Sequence, residues 1–312
     1  MKIFHSINDF QCTKKTILTL GTFDGVHVGH KTILEKLTQS TENGLYESLV
    51  LTFFPHPRMV LQEKSEIKLL NTISEKTELL AQIGIQNLVI HPFDETFSRL
   101  TAEEFVKTIL VDRFQIHKII IGYDHRFGRN RTANIDDLII FGEEYGFEVE
   151  QISAQEIHAV SVSSTKIRTA LLDGKMELAN EYLGYTYFIT GKVVQGKQLG
   201  RTIGFPTANI FVPEDYKLIP KNGVYVVHAI IDETVVYGMM NIGFNPTIED
   251  QNQQKIEVHF LDFEGDLYNA TLQISIVHYI RDEQKFDSIE LLTKQLKNDK
   301  KTAVDFLQQI NL

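Results

Sequence analysis

The pattern of apolar residues changes once along this chain of 312 residues, near residue 185, and that change limits the folds open to it. Before it, short apolar runs alternate with stretches of helical periodicity. We predict strands at residues 17–22, 49–54, 87–91, 118–122 and 147–152. We predict helices between them, at residues 74–83, 102–113 and 135–145. Alternation of this kind indicates a parallel sheet with helices on its faces.

Beyond residue 185 the sequence is rich in predicted strands, which occupy residues 187–194, 224–231, 235–242, 256–263 and 270–278. Short strands at this spacing indicate a small antiparallel barrel or sandwich. Two short helices, interrupted at Gly174, are predicted at 166–183. A last helix is predicted at 288–310, with an apolar stripe of Ile289, Leu292, Leu296, Phe306 and Ile310. We therefore predict an α/β domain at residues 1–185 and a β domain at 186–312.

Composition excludes several classes of protein. Hydrophobic residues make up 43% of the chain, yet no apolar run approaches the ~18 residues of a membrane span. The first ten residues lack the apolar core of a signal peptide, and Cys12 is the only cysteine, which fits a reducing cytoplasm. The net charge of −10 argues against a general nucleic-acid binder, although it allows a local site for a small polyanion.

Residues 21–30, GTFDGVHVGH, lie between a predicted strand and a run of helical periodicity. A helix N-terminus offers free backbone N–H groups and a partial positive charge. His27 and His30 add two imidazoles at that point, and Gly29 leaves room for a ligand, so we predict a phosphate cradle. Thr22 and Asp24 either cap the turn or shape the phosphate site. The His-x-Gly-His spacing resembles the signature of the nucleotidyltransferase superfamily.

Three further segments of the first domain carry candidate site residues. Residues 162–168, VSSTKIR, place three hydroxyls at a helix start with two cations just inside it, which favours a second anion site over an ordinary N-cap. Residues 122–129, GYDHRFGR, follow a strand and so lie at the carboxyl edge of the sheet, where open α/β folds bind ligands. Residues 53–57, FFPHP, form either a rigid loop or the flank of a planar ring.

The second domain begins with residues 191–209, GKVVQGKQLGRTIGFPTAN. Its glycines, with Lys197 and Arg201, indicate a flexible loop that covers phosphates, although glycine loops also form plain hairpins. Thr207 and Asn209 are two residues apart, so on an extended segment they face the same side. Two neutral oxygens on one face suit Mg²⁺ bridged to phosphates, and the alternative is a turn stabilised by the asparagine side chain.

Glu257 lies in an alternating strand, residues 255–260, KIEVHF. It points away from the face that carries Ile256 and Val258, and periodicity alone favours a solvated glutamate. A polar turn at 241–247 precedes this strand. Arg281 stands just before the last helix, where charges usually mark a helix start.

Together these segments resemble the bacterial bifunctional riboflavin kinase/FAD synthetase family over essentially the whole chain. The first half matches through GTFDGVHVGH, TFFPHP, GYDHRFGR and SSTKIR, and the second through the segment ending in PTAN, NGVYVV, NIGFNPT, EVHFLDF and RDEQKF. The resemblance implies an N-terminal Rossmann-like FMN adenylyltransferase domain and a C-terminal riboflavin kinase barrel with a terminal helix. The implied reactions convert riboflavin and ATP to FMN and ADP, then FMN and ATP to FAD and pyrophosphate.

The resemblance also implies residue roles. The adenylyl transfer would be carried by His27, His30 and Arg168, with ATP held by Gly21, Thr22, Phe23, Asp24, Gly29, Ser163, Ser164 and Thr165. FMN would be held by His56, Asp124 and Phe127. The kinase would use Glu257 as general base, Thr207 and Asn209 on Mg²⁺, and Gly191, Lys197, Gly200, Arg201, Gly204 and Pro206 on ATP. Riboflavin would meet Asn241, Arg281 and Phe286.

Two departures from the family pattern lie near the expected adenine and flavin pocket: His125, where an aromatic or apolar residue is more usual, and 132–134, where a glycine turn is more usual. One alternative is a transferase acting on another mononucleotide, such as a pyridine mononucleotide, but the PTAN segment and the barrel argue against it. Another is a flavin-binding or regulatory protein with inactive sites, against which the intact site residues weigh. We expect a monomer or a weak homo-oligomer in the cytoplasm.

Overall fold

A computed structural model describes residues 1–62, 65–123, 125–153, 162–196, 199–244 and 254–310. The chain forms two compact units, Met1–Ser164 and Thr165–Leu312. Two helices precede the first strand of the second unit. Asn180, in the later of these helices, donates a hydrogen bond from Nδ2 to the carbonyl of Ile276 at 3.1 Å. The expected domain boundary at residue 185 stays a prediction.

The first unit alternates strands and helices as expected. Its strands are β1 (Lys2–Phe4), β2 (Thr16–Leu20), β3 (Glu47–Phe53), β4 (Asn87–His91), β5 (Ile116–Gly122) and β6 (Glu148–Ile152). Its helices are α1 (Val28–Gln39), α2 (Pro57–Leu61), α3 (Ile73–Gln82), α4 (Glu95–Ser98), α5 (Ala102–Glu104) and α6 (Ile135–Tyr145). A π-helical segment, Phe105–Arg113, continues α5.

All six strands of the first unit pair in parallel, in the order β1-β4-β3-β2-β5-β6. The chain leaves β2 toward β3 on one side and later returns to β5 on the other, so the order reverses at β2. In an open parallel sheet, ligands bind at the carboxyl ends of the strands at such a switch point. The segment that follows β2 is the one that begins at Gly21.

Apolar residues on both sides of this sheet explain the fold. The strands β2 and β5 are buried almost throughout, and Phe105, Phe114 and Leu138 pack against one face. Strand β1 was not predicted because it has three residues and a mostly exposed pattern. The predicted α/β class for the first half is confirmed.

Helix α7 (Ser164–Leu172) starts at the last residue of the first unit, and helix α8 (Met176–Leu183) follows it in the second unit. Its strands are β7 (Phe188–Val194), β8 (Ala208–Phe211), β9 (Gly223–Ile231), β10 (Thr234–Phe244), β11 (Gln254–Phe260) and β12 (Thr271–Arg281). A one-turn helix α9 (Leu199–Thr202) lies between β7 and β8, and α10 (Ile289–Gln309) is the last helix described. Ser288 caps α10 by accepting a hydrogen bond from Leu291 N.

The six strands form a closed antiparallel barrel in the order β10-β11-β8-β7-β12-β9, so the barrel expectation is confirmed over the sandwich. Strand β8 was not predicted as a strand, although it begins within the extended segment on which Thr207 and Asn209 were placed. Helix α10 packs Ala303 and Leu307 against the barrel, whereas Ile289 and Ile310 are 53% and 39% exposed, so the predicted apolar stripe is wrong at its two ends. No helix within the described ranges is long and apolar enough to cross a membrane.

Candidate active sites

The turn after β2 has a strained backbone. Phe23 and Val26 have φ of 44° and 36°, in the left-handed region that L side chains avoid, and Gly25 has φ of 88°. Such residues cost on the order of 1–3 kcal/mol each and persist where the surroundings hold them. Here the side chains of Phe23 and Val26 are 3% and 0% exposed, so burial contributes to holding the turn.

Three polar contacts hold the same turn. The carboxylate of Asp24 is 1% exposed and accepts a hydrogen bond from Leu70 N at 2.9 Å. Ser164 Oγ donates to the carbonyl of Asp24 at 2.9 Å. Lys76 Nζ donates to the carbonyl of Thr22 at 2.7 Å. The Asp24 carboxylate therefore connects the turn to the segment at Leu70, and the hydroxyl of Ser164 supports the backbone of the turn.

His27 and His30 lie together at the start of α1. His27 is the N-cap residue, and its Nδ1 accepts a hydrogen bond from His30 N at 3.4 Å. The two rings stack with centroids 3.6 Å apart and planes at 17°, and Phe23 meets His30 edge-on. His30 Nδ1 is buried without a hydrogen-bond partner among the described residues.

Both imidazoles are neutral near neutral pH. Burial lowers the pKa of His27 to about 4. Burial, then the nearby His27 and Lys76, lowers the pKa of His30 well below its usual value. Because Nδ1 of neutral His27 accepts a hydrogen bond, its proton lies on Nε2, which is a donor. A neutral His27 with its proton on Nε2 can donate a hydrogen bond to a phosphate oxygen.

Lys76 is a residue of this region that sequence reasoning missed. It lies on α3, is 3% exposed and contacts the turn through the bond to Thr22. Burial lowers its pKa to about 8, and the charge of Asp24 opposes that shift. The sequence does contain a sign of its burial. Lys76 lies at helical spacing with Ile73, Leu79 and Leu80, on the face of the helix that should be apolar.

The other predicted residues of the first half have varied settings. His56 caps α2, and its Nδ1 accepts a hydrogen bond from Arg58 N at 3.1 Å. Phe127 is 6% exposed and packs in the core against Phe105, which favours packing over flavin contact. Asp124 lies outside the described residues. Arg168 lies on α7 one helical turn beyond Ser164, with Ser163 and Thr165 flanking that serine in the sequence.

The departures from the family pattern have structural explanations in part. The ring of His125 stacks on that of Phe127 with centroids 6.4 Å apart, so a histidine serves here as a flat packing partner. Asn134 caps α6, accepting from Asp136 N and Asp137 N, and the Asp137 carboxylate accepts a hydrogen bond from Asn134 N. An asparagine at this position therefore starts a helix.

A row of polar side chains crosses the barrel. Glu257 on β11 is directly opposite Asn209 on β8 and, on its other side, opposite Asn241 on β10. Asn241 is opposite Val224, and Val224 is opposite Arg281 on β12. Directly opposed residues carry their side chains on the same face of a sheet. The register therefore brings together four residues that the sequence analysis named separately: Asn209, Glu257, Asn241 and Arg281.

This row borders a pocket of about 230 Å³ on the outer face of the barrel. Its wall contains the predicted Gly200, Thr207, Asn241, Glu257, Arg281 and Phe286. Leu292, Leu296 and Asp299 of α10 form part of the opposite wall. Glu257 does point outward, as periodicity required, but the helix and the 199–207 segment turn that face into a half-buried pocket.

The segment before β8 is tied to the strand that carries Glu257. His259 Nδ1 donates to the carbonyl of Pro206 at 2.8 Å, and its ring meets Phe205 edge-on. Gly196 lies against Asn209, because a Cβ on this glycine would stand 2.2 Å from Asn209 Nδ2. Asn209 therefore lies next to Glu257, just outside the residues that line the pocket.

The remaining predicted ATP residues of the second half are dispersed. Gly191 lies inside β7, where it packs against Ile210, and Arg201 is exposed on α9. Gly204 has φ of 81°, a conformation suited to glycine. Lys197 lies outside the described residues.

Arg281 is held by an aspartate that the sequence analysis did not select. Its Nε and Nη2 donate to the two carboxylate oxygens of Asp299 at 2.9 and 2.7 Å. Asp299 is 1% exposed and also accepts from Gln295 Nε2 at 2.8 Å. The guanidinium carbon lies 5.9 Å from the ring centre of Phe286. This bidentate pair fastens α10 to β12 and fixes Arg281 in the pocket wall.

Comparison with known proteins matches both halves of the chain to known families. The FAD synthetase family profile matches residues 9–166, and the riboflavin kinase profile matches residues 183–307. A bifunctional riboflavin kinase/FMN adenylyltransferase of Listeria monocytogenes is 36% identical over 94% of this chain and 93% of that protein. Proteins of the same name from Escherichia coli and Bacillus subtilis are 36% and 35% identical, each over 98% of this chain and 98% and 96% of theirs.

A solved structure shares the fold. A Streptococcus pneumoniae protein described as a macrolide-efflux protein superposes with a TM-score of 0.87 at 30% identity, covering 96% of this chain and 97% of its own.

Proposed function

This chain belongs to the family of bifunctional riboflavin kinase/FMN adenylyltransferase enzymes, and from that premise we propose which residues carry each of its two reactions. The enzyme phosphorylates riboflavin with ATP to give FMN and ADP. It then adenylylates FMN with ATP to give FAD and pyrophosphate. The residue roles that follow are our proposal.

In the kinase reaction the acceptor is the terminal ribityl hydroxyl of riboflavin, a poor nucleophile at neutral pH. A positioned base is useful for such an alcohol. Glu257 accepts the hydroxyl proton as the oxygen bonds to the γ-phosphorus of ATP and the bond to ADP breaks. Its place in the pocket wall between Asn209 and Asn241 supports this role. Both amides can orient the carboxylate or the substrate hydroxyl.

A magnesium ion fits the oxygen donors beside Glu257. Thr207 and Asn209 supply a hydroxyl and an amide oxygen, hard ligands of the type that Mg²⁺ prefers. The described part of the chain holds no group of three or more acidic, histidine or cysteine residues suited to a metal. A cation here would therefore draw most ligands from ATP phosphates and water. When bound, it neutralises charge on those phosphates.

Riboflavin binding falls to the rest of the pocket. Asn241 and the Arg281–Asp299 pair present polar groups, while Phe286 and Leu296 offer apolar surface for the flavin ring. Gly200, Arg201, Gly204 and Pro206, in the segment that precedes Thr207, cover the ATP phosphates.

In the adenylyl transfer the acceptor is the phosphate of FMN. Its second pKa is about 6, so it is largely dianionic at neutral pH and needs no base. The protein must align it with the α-phosphorus of ATP and stabilise the departing pyrophosphate. The Nε2–H of His27, His30 and the N-terminus of α1 provide donors for phosphate oxygens, and Arg168 adds a positive charge. Ser164, whose hydroxyl donates to the Asp24 carbonyl, holds the turn that presents them. The absence of a partner for His30 Nδ1 among the described residues supports a ligand contact there.

The adenylyl assignment rests on the location of the stacked His27–His30 pair at the switch point of a parallel sheet. The kinase assignment rests on the row of polar side chains around Glu257. Incubation with riboflavin, ATP and Mg²⁺, followed by chromatography, tests both. We expect FMN first and FAD second. Riboflavin that binds without conversion would contradict both assignments. Formation of FMN without FAD would contradict only the adenylyl assignment.

We also propose that the enzyme works in the cytoplasm as a monomer or weak homo-oligomer, and that it has no nucleic-acid partner. The single cysteine fits the cytoplasm, and the net charge of −10 argues against a nucleic-acid partner. Light scattering with and without substrates tests the oligomeric state.

A further inference from the structure

A buried ammonium lies against the strained turn of the first unit. Lys76 Nζ donates to the carbonyl of Thr22 at 2.7 Å, and the residue is 3% exposed. Among the described residues, this is the one hydrogen-bond acceptor recorded for an ammonium that has three donors. Burying a charge is costly unless it is compensated. Some interaction must therefore offset the cost of burying the Lys76 ammonium.

The bond to Thr22 sets the direction of a peptide. In a planar trans peptide the C=O and the following N–H point in opposite directions. Because the Thr22 carbonyl points to Lys76 on α3, the N–H of Phe23 points away from that helix. Phe23 is the first left-handed residue of the turn, with φ of 44°. Lys76 thus fixes the peptide at which the strained backbone begins.

The charges around Lys76 favour an added anion. Asp24, on the turn, is the carboxylate that stabilises the ammonium, while His30, on α1, is neutral and interacts unfavourably with it when protonated. On α3 itself the neighbouring Glu75 is engaged in capping, since its Oε2 accepts from Thr72 N at 2.9 Å. Burial outweighs Asp24 and lowers the pKa of Lys76 to about 8. A polyanion at the cradle would add the missing compensation.

We propose that Lys76 is a positioning residue of the adenylyl-transfer site, which holds the Thr22 carbonyl and provides a buried positive charge that favours binding of the ATP phosphates. This inference rests on the proposed role of the His27–His30 turn. Lys76 acts through the turn and through its field, and no bond to substrate is required of it.

The test measures the KM for ATP in FAD formation from supplied FMN, in the full chain. Lys76→Met should raise that KM on the order of tenfold, because it removes a nearby positive charge and the hold on the Thr22 carbonyl, and leave the KM for riboflavin in the kinase step unchanged. Lys76→Arg should restore most of the affinity. Lys36→Met is the matched control, because it removes one positive charge from α1, where Lys36 pairs with Glu150 at 3.1 Å.

The pH profile separates this role from a purely structural one. In the wild type the KM for ATP should rise as the pH increases through about 8, because the ammonium loses its proton. Lys76→Arg should show no such rise, since arginine stays protonated. If Lys76→Met fails to fold, the pH dependence of the KM for ATP in Lys76→Arg still tests the proposed role. A KM in folded Lys76→Met equal to the wild-type value, or a rise in Lys76→Arg like that of the wild type, would overturn the inference. Failure of the wild type to make FAD would instead overturn the proposed function.

Discussion

Asn209 and Glu257 stand directly opposite each other on antiparallel strands, so an amide and a carboxylate share one face of the barrel. Opposed residues of this kind have Cβ atoms about 4.5–5.5 Å apart. A group that binds the amide oxygen would therefore lie beside the carboxylate. This pairing puts the proposed cation contact and the proposed base next to each other without any loop having to close.

Glu257→Gln should depress the kinase step by about 10²–10⁴-fold, because the amide cannot accept the hydroxyl proton. FAD formation from supplied FMN should be unchanged, since that reaction belongs to the other unit. Separate assays of FMN and FAD production give both rates. Glu264→Gln, at an exposed position after β11, is the matched control. A kinase rate in Glu257→Gln equal to the wild-type rate would rule out the base.

His27→Ala should abolish FAD formation and spare FMN formation. The substitution removes both the proposed phosphate donor and the N-cap of α1, and a lost cap alone costs about 1 kcal/mol. His27→Asn keeps a capping oxygen and lacks the ring, so it should remain defective in FAD formation. His5→Ala, at an exposed site, controls for loss of a histidine. Loss of both activities in a folded His27 variant would contradict the assignment.

Gly196→Ala should weaken the kinase without unfolding the barrel. The new Cβ would meet the amide of Asn209 at 2.2 Å, and that amide is the mobile end of a side chain, so it moves rather than the backbone. We expect a higher Mg²⁺ requirement and a higher KM for ATP in the kinase step. Asn209→Ala should show the same defect, and the double variant should be no worse than the worse single one. Additive defects would show that Gly196 acts elsewhere.

Asp299→Ala should destabilise the second unit by about 3–5 kcal/mol, because it leaves the guanidinium of Arg281 partly buried without its partner. Only 16% of the Arg281 side chain is exposed. The KM for riboflavin should rise as Arg281 and Phe286 lose their fixed positions. Urea unfolding and kinase kinetics measure the two effects. Asp305→Ala, exposed on the same helix, should change neither.

The stability of α1 should depend on pH through His27. Its pKa is lowered from 6.5 in the unfolded chain to about 4 in the fold, so below 6.5 the unfolded state binds more protons. The unfolding free energy should therefore fall as the pH drops from 6.5 to about 4 and be constant above that window. Hydrogen exchange of the α1 amides measures it. A slope as steep in His27→Asn as in the wild type would assign the effect to other groups.

The order of elements followed from the sequence because apolar periodicity is a local signal. Strand β4 and helix α6 have the bounds predicted, and most other elements differ by one to three residues. The elements that were not predicted are short: strands β1 and β8 and helices α2, α4 and α9 have three to five residues each, too few to show a period.

The sites were only partly predictable, because register and burial depend on the whole fold. Glu257, Asn209 and Asn241 could each be named, yet their juxtaposition follows from strand pairing that no local pattern reveals. Lys76 and Asp299 were missed for one shared reason. Each is a charged residue on the buried face of a helix. An apolar period tolerates a single charged residue, so neither one stood out as a candidate for the site.

The Arg281–Asp299 pair has a consequence for synthesis of the protein on the ribosome. A nascent chain that extends only to Arg281 already contains all six barrel strands but lacks the wall formed by Leu292, Leu296 and Asp299. At that stage Arg281 has no carboxylate from α10 to orient it, and the barrel residues Val226, Met239 and Leu261 lack the packing of Ala303 and Leu307. The pocket wall and this part of the core are therefore completed only after α10 has emerged from the exit tunnel, and we expect a chain that ends before Asp299 to lack kinase activity.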